Sequence, residues 1–174
     1  MTIEPDDKDW TWVLERPCEE CGFDASDVRL ALAGDMVRAN SQRWATVLER
    51  ATVRRRPRAD RWSDLEYACH VRDVYSIFDQ RLALMLTHED PVFENWDQDA
   101  TAVADRYDLQ DPGVVRQALE SAAARYAQRC DAIVEPQWSR PGTRSNGSVF
   151  TVASLVRYGL HDPHHHLWDV GAPN

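Results

Sequence analysis

Apolar residues along this chain recur at steps of three and four, the period of helices that bury one face. Leu30, Met36, Val37, Trp44, Val47 and Leu48 follow that spacing in a segment that Asp24 or Ser26 can cap, which predicts a first helix over about 27–53. Ser63 followed three residues later by Glu66 has the form of a capping box, in which each side chain bonds the other's backbone N–H. From there Tyr67, Val71, Val74, Ile77, Phe78, Leu82 and Met85 form one stripe, so a second helix runs to about Leu86. Residues 88–111 are polar and broken by Pro91, which predicts a long loop with a helical turn near 101–106.

Asp111-Pro112, a cap followed by proline in the first turn, opens a third helix through Val115, Leu119, Ala122, Tyr126 and Ile133, ending near Pro136. Arg140 to Ser148 reads as a turn-rich linker. A last helix over about 149–170 carries Val152, Leu155, Val156 and Leu160 and stops before Gly171. The expected architecture is therefore all-α: an irregular leader over 1–25, then a four-helix bundle over 26–174. Its threading stays open, because two of the connections are long.

Composition narrows the function classes. At 174 residues, with 43% hydrophobic and 28% charged positions, the chain suits one globular domain and not disorder. Seven tryptophans supply large buried area. A net charge of -9 argues against nucleic-acid binding, which needs clustered cations to neutralise phosphates. The one basic run, Arg54 to Arg58, reads either as a solvated loop or as a rim that attracts a carboxylated substrate. No stretch approaches the ~20 apolar residues that span a bilayer, and the acidic first nine residues carry no apolar signal region. A cytoplasmic protein is expected, with no membrane partner.

In that setting the four cysteines are not expected to form structural disulfides. Cys69 and Cys130 fall in helical patterns as buried thiols. Cys18-x-x-Cys21, followed by Gly22, is a secondary thiol site with three readings: half of a tetrahedral thiolate site, a redox pair, or a structural turn.

The histidines carry the candidate chemistry. His161 and His165 stand four apart on the last helix, so their rings share a face. His70 lies on the stripe of Tyr67, Val71 and Val74, so it faces the bundle interior. Three imidazoles from two helices would make an open site for one divalent metal ion, with water or substrate completing it. The plainer reading is a set of hydrogen-bonded core and surface histidines. Pro163, which removes a backbone donor inside the last helix, marks a local irregularity of the kind found near functional sites. Glu66, Asp162 and Asp169 are near enough in sequence to accept from imidazole N–H groups and fix their tautomers. His164 is placed beside the ligands or on the surface with His166, and His88 is placed in solvent.

Trp62-Ser63, Glu66 and His70, followed by His161-Asp162-x-x-His165-His166, resemble the DinB/YfiT-like superfamily. The resemblance spans about residues 26–170. It implies a four-helix bundle, a bound divalent ion (zinc or nickel), homodimers, and activities that include transfer of low-molecular-weight thiols. It also implies His70, His161 and His165 as the ligands. The related mycothiol-dependent maleylpyruvate isomerases typically carry Glu at one of the two last-helix positions, so an all-histidine set looks closer to the YfiT side. The expected function is a metal-dependent transferase using a low-molecular-weight, mycothiol-like thiol, or a hydrolase through metal-bound water. Trp62, Arg140, Arg144 and Trp168 are candidate contacts for a small-molecule substrate. A reading from another class is a non-catalytic metal- or ligand-binding module of a stress response.

Overall fold

In the computed structural model, which describes residues 9–172, four long helices form the expected bundle. They are α1 (Ala33–Val47), α2 (Asp64–Thr87), α4 (Pro112–Asp131) and α5 (Val152–Asp169), with a short α3 (Gln98–Ala104) in the connection between α2 and α4. The first eight residues of the expected leader lie outside the described residues.

The helix starts with clear local signals stand where the sequence puts them. Ser63 Oγ accepts from the Glu66 N–H at 3.3 Å and Glu66 Oε2 accepts from the Ser63 N–H at 2.8 Å, completing the box. Asp111 Oδ1 accepts from the N–H groups of Gly113 and Val114, and Pro112 sits in the first turn of α4. α1 starts later than expected because Val28 and Arg29 adopt extended backbone angles, so residues 25–32 form two separate 3-10 turns. The expected linker after α4 is in fact a small sheet. β2 (Pro141–Arg144) pairs antiparallel with β3 (Val149–Thr151), and β1 (Val92–Phe93) adds parallel to β2. Gly147, at φ +94, allows the tight turn between β2 and β3.

α1 packs on α4 and α5, and α2 packs on the same two helices. Helices consecutive in sequence therefore face each other across the bundle diagonal, α1 opposite α2 and α4 opposite α5. Trp44, Leu65, Tyr75, Leu82, Leu119, Tyr126, Leu155 and Leu167 fill the shared core. α5 runs antiparallel to α2: Gly159 lies against Phe78, while the far end of α5 reaches His70 near the start of α2. A methyl group at Gly159 would sit 2.5 Å from Phe78 and 2.8 Å from the Tyr126 hydroxyl, so glycine here sets how closely the helices approach. Before α1, a 3-10 turn (Trp10–Leu14) and the loop through Cys18–Phe23 lie along α5, with Val13, Cys18 and Phe23 buried.

Candidate metal centre

The second half of α5 carries His161, Asp162, His164, His165 and His166, and helical geometry sorts them onto different faces. Residues 162 and 166 continue the stripe that begins at Gly159 and point to α2. Residues 161 and 165 lie about 100° away around the helix and point to the leader. Among the described residues, two groups of donor atoms converge within 4.8 Å: His70, Asp162 and His166, and separately Cys18, Cys21, His161 and His165.

The residues of the expected ligand set are divided between these two groups. His70, His161 and His165 do not fall in one group; His161 and His165 converge instead with Cys18 and Cys21 of the leader. His70 is fully buried, and its Nε2 lies 3.2 Å from Asp162 Oδ1. The same oxygen lies 3.6 Å from His166 Nε2. Donors about 2.0–2.1 Å from a tetrahedral ion stand about 3.3–3.4 Å apart, so these separations suit one ion. Asp162, expected to brace an imidazole, is thus itself a candidate ligand.

Asp169, expected to brace an imidazole, lies against His166. Its Oδ2 accepts from His166 Nδ1 at 2.7 Å, which leaves the Nε2 lone pair directed to the group. The Arg61 guanidinium holds the other oxygen of Asp169. Burial raises the Asp162 carboxyl, but the flanking His70 and His166 rings outweigh it and hold Asp162 well below the usual carboxylate range. Trp96 stacks on the His70 ring at 5.2 Å between centroids, and Trp62 packs at 5.4 Å.

The other group joins α5 to the leader. Cys18 Sγ stands 3.6 Å from His165 Nδ1. His161 has a buried Nε2 with no hydrogen-bond partner, and burial drives this imidazole down to about 3, so it is neutral and able to act as a ligand. No α-helix opens at Cys18 or Cys21, so the dipole that activates a redox thiol is missing. Burial pushes the Cys21 thiol up to about 12.

Both groups border a cavity of about 710 Å³. Of the residues proposed to contact a substrate, Trp62, Arg144 and Trp168 line it, whereas Arg140 donates to the carbonyls of Met85 and His88. Glu66 is occupied by Ser63 and by an ion pair with Arg56, and does not brace His70. Within the basic run, Arg58 pairs with Asp60, and no member of the run lines the cavity. His164 Nε2 lies 3.3 Å from the Cys21 carbonyl oxygen, beside the leader. His88 is exposed, as expected.

Sequence reasoning missed Arg81, whose guanidinium is buried in the wall near Arg144. Burial pulls Arg81 down to about 10, and repulsion from Arg144 adds to it. It also missed Trp10 and Trp96. These residues come from the leader and the α2–α4 connection, and no local pattern assigns such segments to a pocket wall.

A family model described as the DinB superfamily matches residues 33–170, which include all four bundle helices. The chain belongs to the DinB superfamily. The DinB match leaves out the leader with Cys18 and Cys21. Two solved structures share the DinB fold. YfiT from Bacillus subtilis, described as a probable metal-dependent hydrolase with an unusual four-helix bundle topology, superposes with a TM-score of 0.67 at 17% identity, covering 96% of this chain and 89% of that one. A variant of the mycothiol-dependent maleylpyruvate isomerase gives a TM-score of 0.68 at 16% identity, over 85% of this chain and 63% of the isomerase. No curated protein matches the chain in sequence.

Proposed function

We propose that this DinB protein is a metal-dependent enzyme that transfers a low-molecular-weight thiol, with its ion held by His70 Nε2, Asp162 Oδ1 and His166 Nε2. The carrying observation is a two-histidine, one-carboxylate group that borders a cavity large enough for a thiol and an electrophile together. A carboxylate among the last-helix ligands also fits the isomerase pattern that an all-histidine set had disfavoured. A divalent ion there would lower the pKa of a bound thiol, or of water in a hydrolase, and so supply a nucleophile at neutral pH.

The chain's own residues suggest the rest. Asp169 keeps the proton of His166 on Nδ1, away from the ion. Trp62 and Trp96 screen His70 from water. Arg81 and Arg144 are buried in the cavity wall, each stacked over aromatic rings, with Asp9 3.9 Å from Arg144, and their two charges support a subsite for an anionic group.

Elemental analysis of wild type beside His70→Ala and Asp162→Ala, followed by turnover with a panel of thiols and electrophiles, tests the reading. The expected result is loss of the ion and of thiol-dependent turnover in both variants, with helical circular dichroism retained. Thiol-dependent turnover that survives in both would sink it. A wild type that binds metal yet turns over nothing would favour a binding module.

A further inference from the structure

The Cys18–Cys21 pair takes no part in the proposed chemistry and lies outside the span that matches the DinB family. We propose that Cys18, Cys21, His161 and His165 hold a second, structural zinc ion that fastens the leader to α5. Two thiolates and two imidazoles fill a tetrahedral zinc shell and leave no position for water or substrate, which is the composition of a closed site.

The geometry fits in several independent ways. Zn–S near 2.3 Å and Zn–N near 2.0–2.1 Å put sulfur and nitrogen about 3.5–3.6 Å apart around a tetrahedral ion. Cys18 Sγ and His165 Nδ1 are 3.6 Å apart. Both sulfurs come from one tight turn, closed by Gly22 N–H to the Cys18 carbonyl and Cys18 N–H to the Phe23 carbonyl, each 2.8 Å. Gly22, at φ +75, makes that turn without strain. The unpartnered, buried Nε2 of His161 is a donor atom in want of a partner, which an ion would supply. Trp10 packs over both imidazoles, at 5.7 Å and 5.1 Å, and Phe23 covers His161 at 5.4 Å, so aromatic rings screen the group on the leader side.

Fastened in this way, the leader contributes Asp9, Trp10 and Glu20 to the cavity wall. The structural ion would thus complete the pocket in which the other site works, without entering the reaction.

The test uses the full-length protein washed with a weak chelator. Elemental analysis should find about one tightly held zinc per chain in wild type and in His70→Ala, and none of it in Cys18→Ser/Cys21→Ser. Cobalt exchanged into wild type and His70→Ala should show tetrahedral visible bands with thiolate charge-transfer absorption, which the double serine variant lacks. If the serine variant fails to fold, alkylation of wild type followed by peptide mapping gives the same answer. Cys18 and Cys21 should be protected until a strong chelator is added. A Cys18–Cys21 disulfide, thiols equally reactive with and without chelator, or a cobalt spectrum without thiolate absorption would each overturn the proposal. Because His70→Ala empties only the other site, failure of one assignment leaves the other readable.

Discussion

Asp169 serves two groups at once, His166 through one carboxylate oxygen and Arg61 through the other. The first contact fixes which imidazole nitrogen faces His70 and Asp162; the second holds the carboxylate in place. Removing such a brace typically costs 10–100-fold in metal affinity. Asp169→Ala should therefore weaken the ion proposed at His70, Asp162 and His166 by that factor, measured by competition with a chromophoric chelator. Glu66 works on stability instead. Burial raises its carboxyl, yet bonds from Arg56 and Ser63 to the charged form carry it below its ordinary value of 4.5. A carboxyl with a lowered folded pKa stabilises fully above the unfolded value, and that contribution is lost as pH falls through the folded one. Wild type should thus lose more stability than Glu66→Gln between about pH 6 and pH 3, as read from urea midpoints across that range.

At the level of elements, Gly159 sets the spacing of α5 against α2 and α4. Gly159→Val would drive branched carbons into Phe78 and the Tyr126 hydroxyl, both buried. Overpacking of this kind costs about 1–3 kcal/mol, and roughly 2–4 °C of Tm is lost per kcal/mol at this chain length. A thermal melt unchanged from wild type would show that the helices yield. The same glycine explains what the sequence did and did not disclose. Caps are local, so Ser63 with Glu66 and Asp111 with Pro112 placed two helix starts correctly. The short strands hold only a few residues each, paired with distant partners, and no alternating pattern announces them. In the last helix, His161/His165 and Asp162/His166 are both spaced by four, and spacing alone cannot choose between them. The rotation of α5 chooses, and Gly159 is its visible sign, because 162 and 166 lie three and seven residues on from it, on one stripe.

Across the whole molecule, charge is unevenly placed. The chain carries -9 overall, yet the cavity wall contains the buried guanidiniums of Arg81 and Arg144. An acidic exterior repels anions in general, whereas under the proposed function these two guanidiniums would receive an anionic group at one point of the wall. Hydrogen bonds to charged groups are worth about 1.5–3 kcal/mol, so Arg81→Gln should raise KM for an anionic substrate about tenfold or more and alter kcat less. Steady-state kinetics at low and high salt would check it, since exposed charges are screened more than buried ones.

The contact between Cys18 and His165 joins residues 147 positions apart. During synthesis, the cysteine turn leaves the ribosome long before its histidine partners exist. For most of translation it can offer any cation only two sulfurs, a weak grip. The cysteine turn and its histidines can meet only after the last helix has emerged, so the ion proposed there would load late, once α5 has been made.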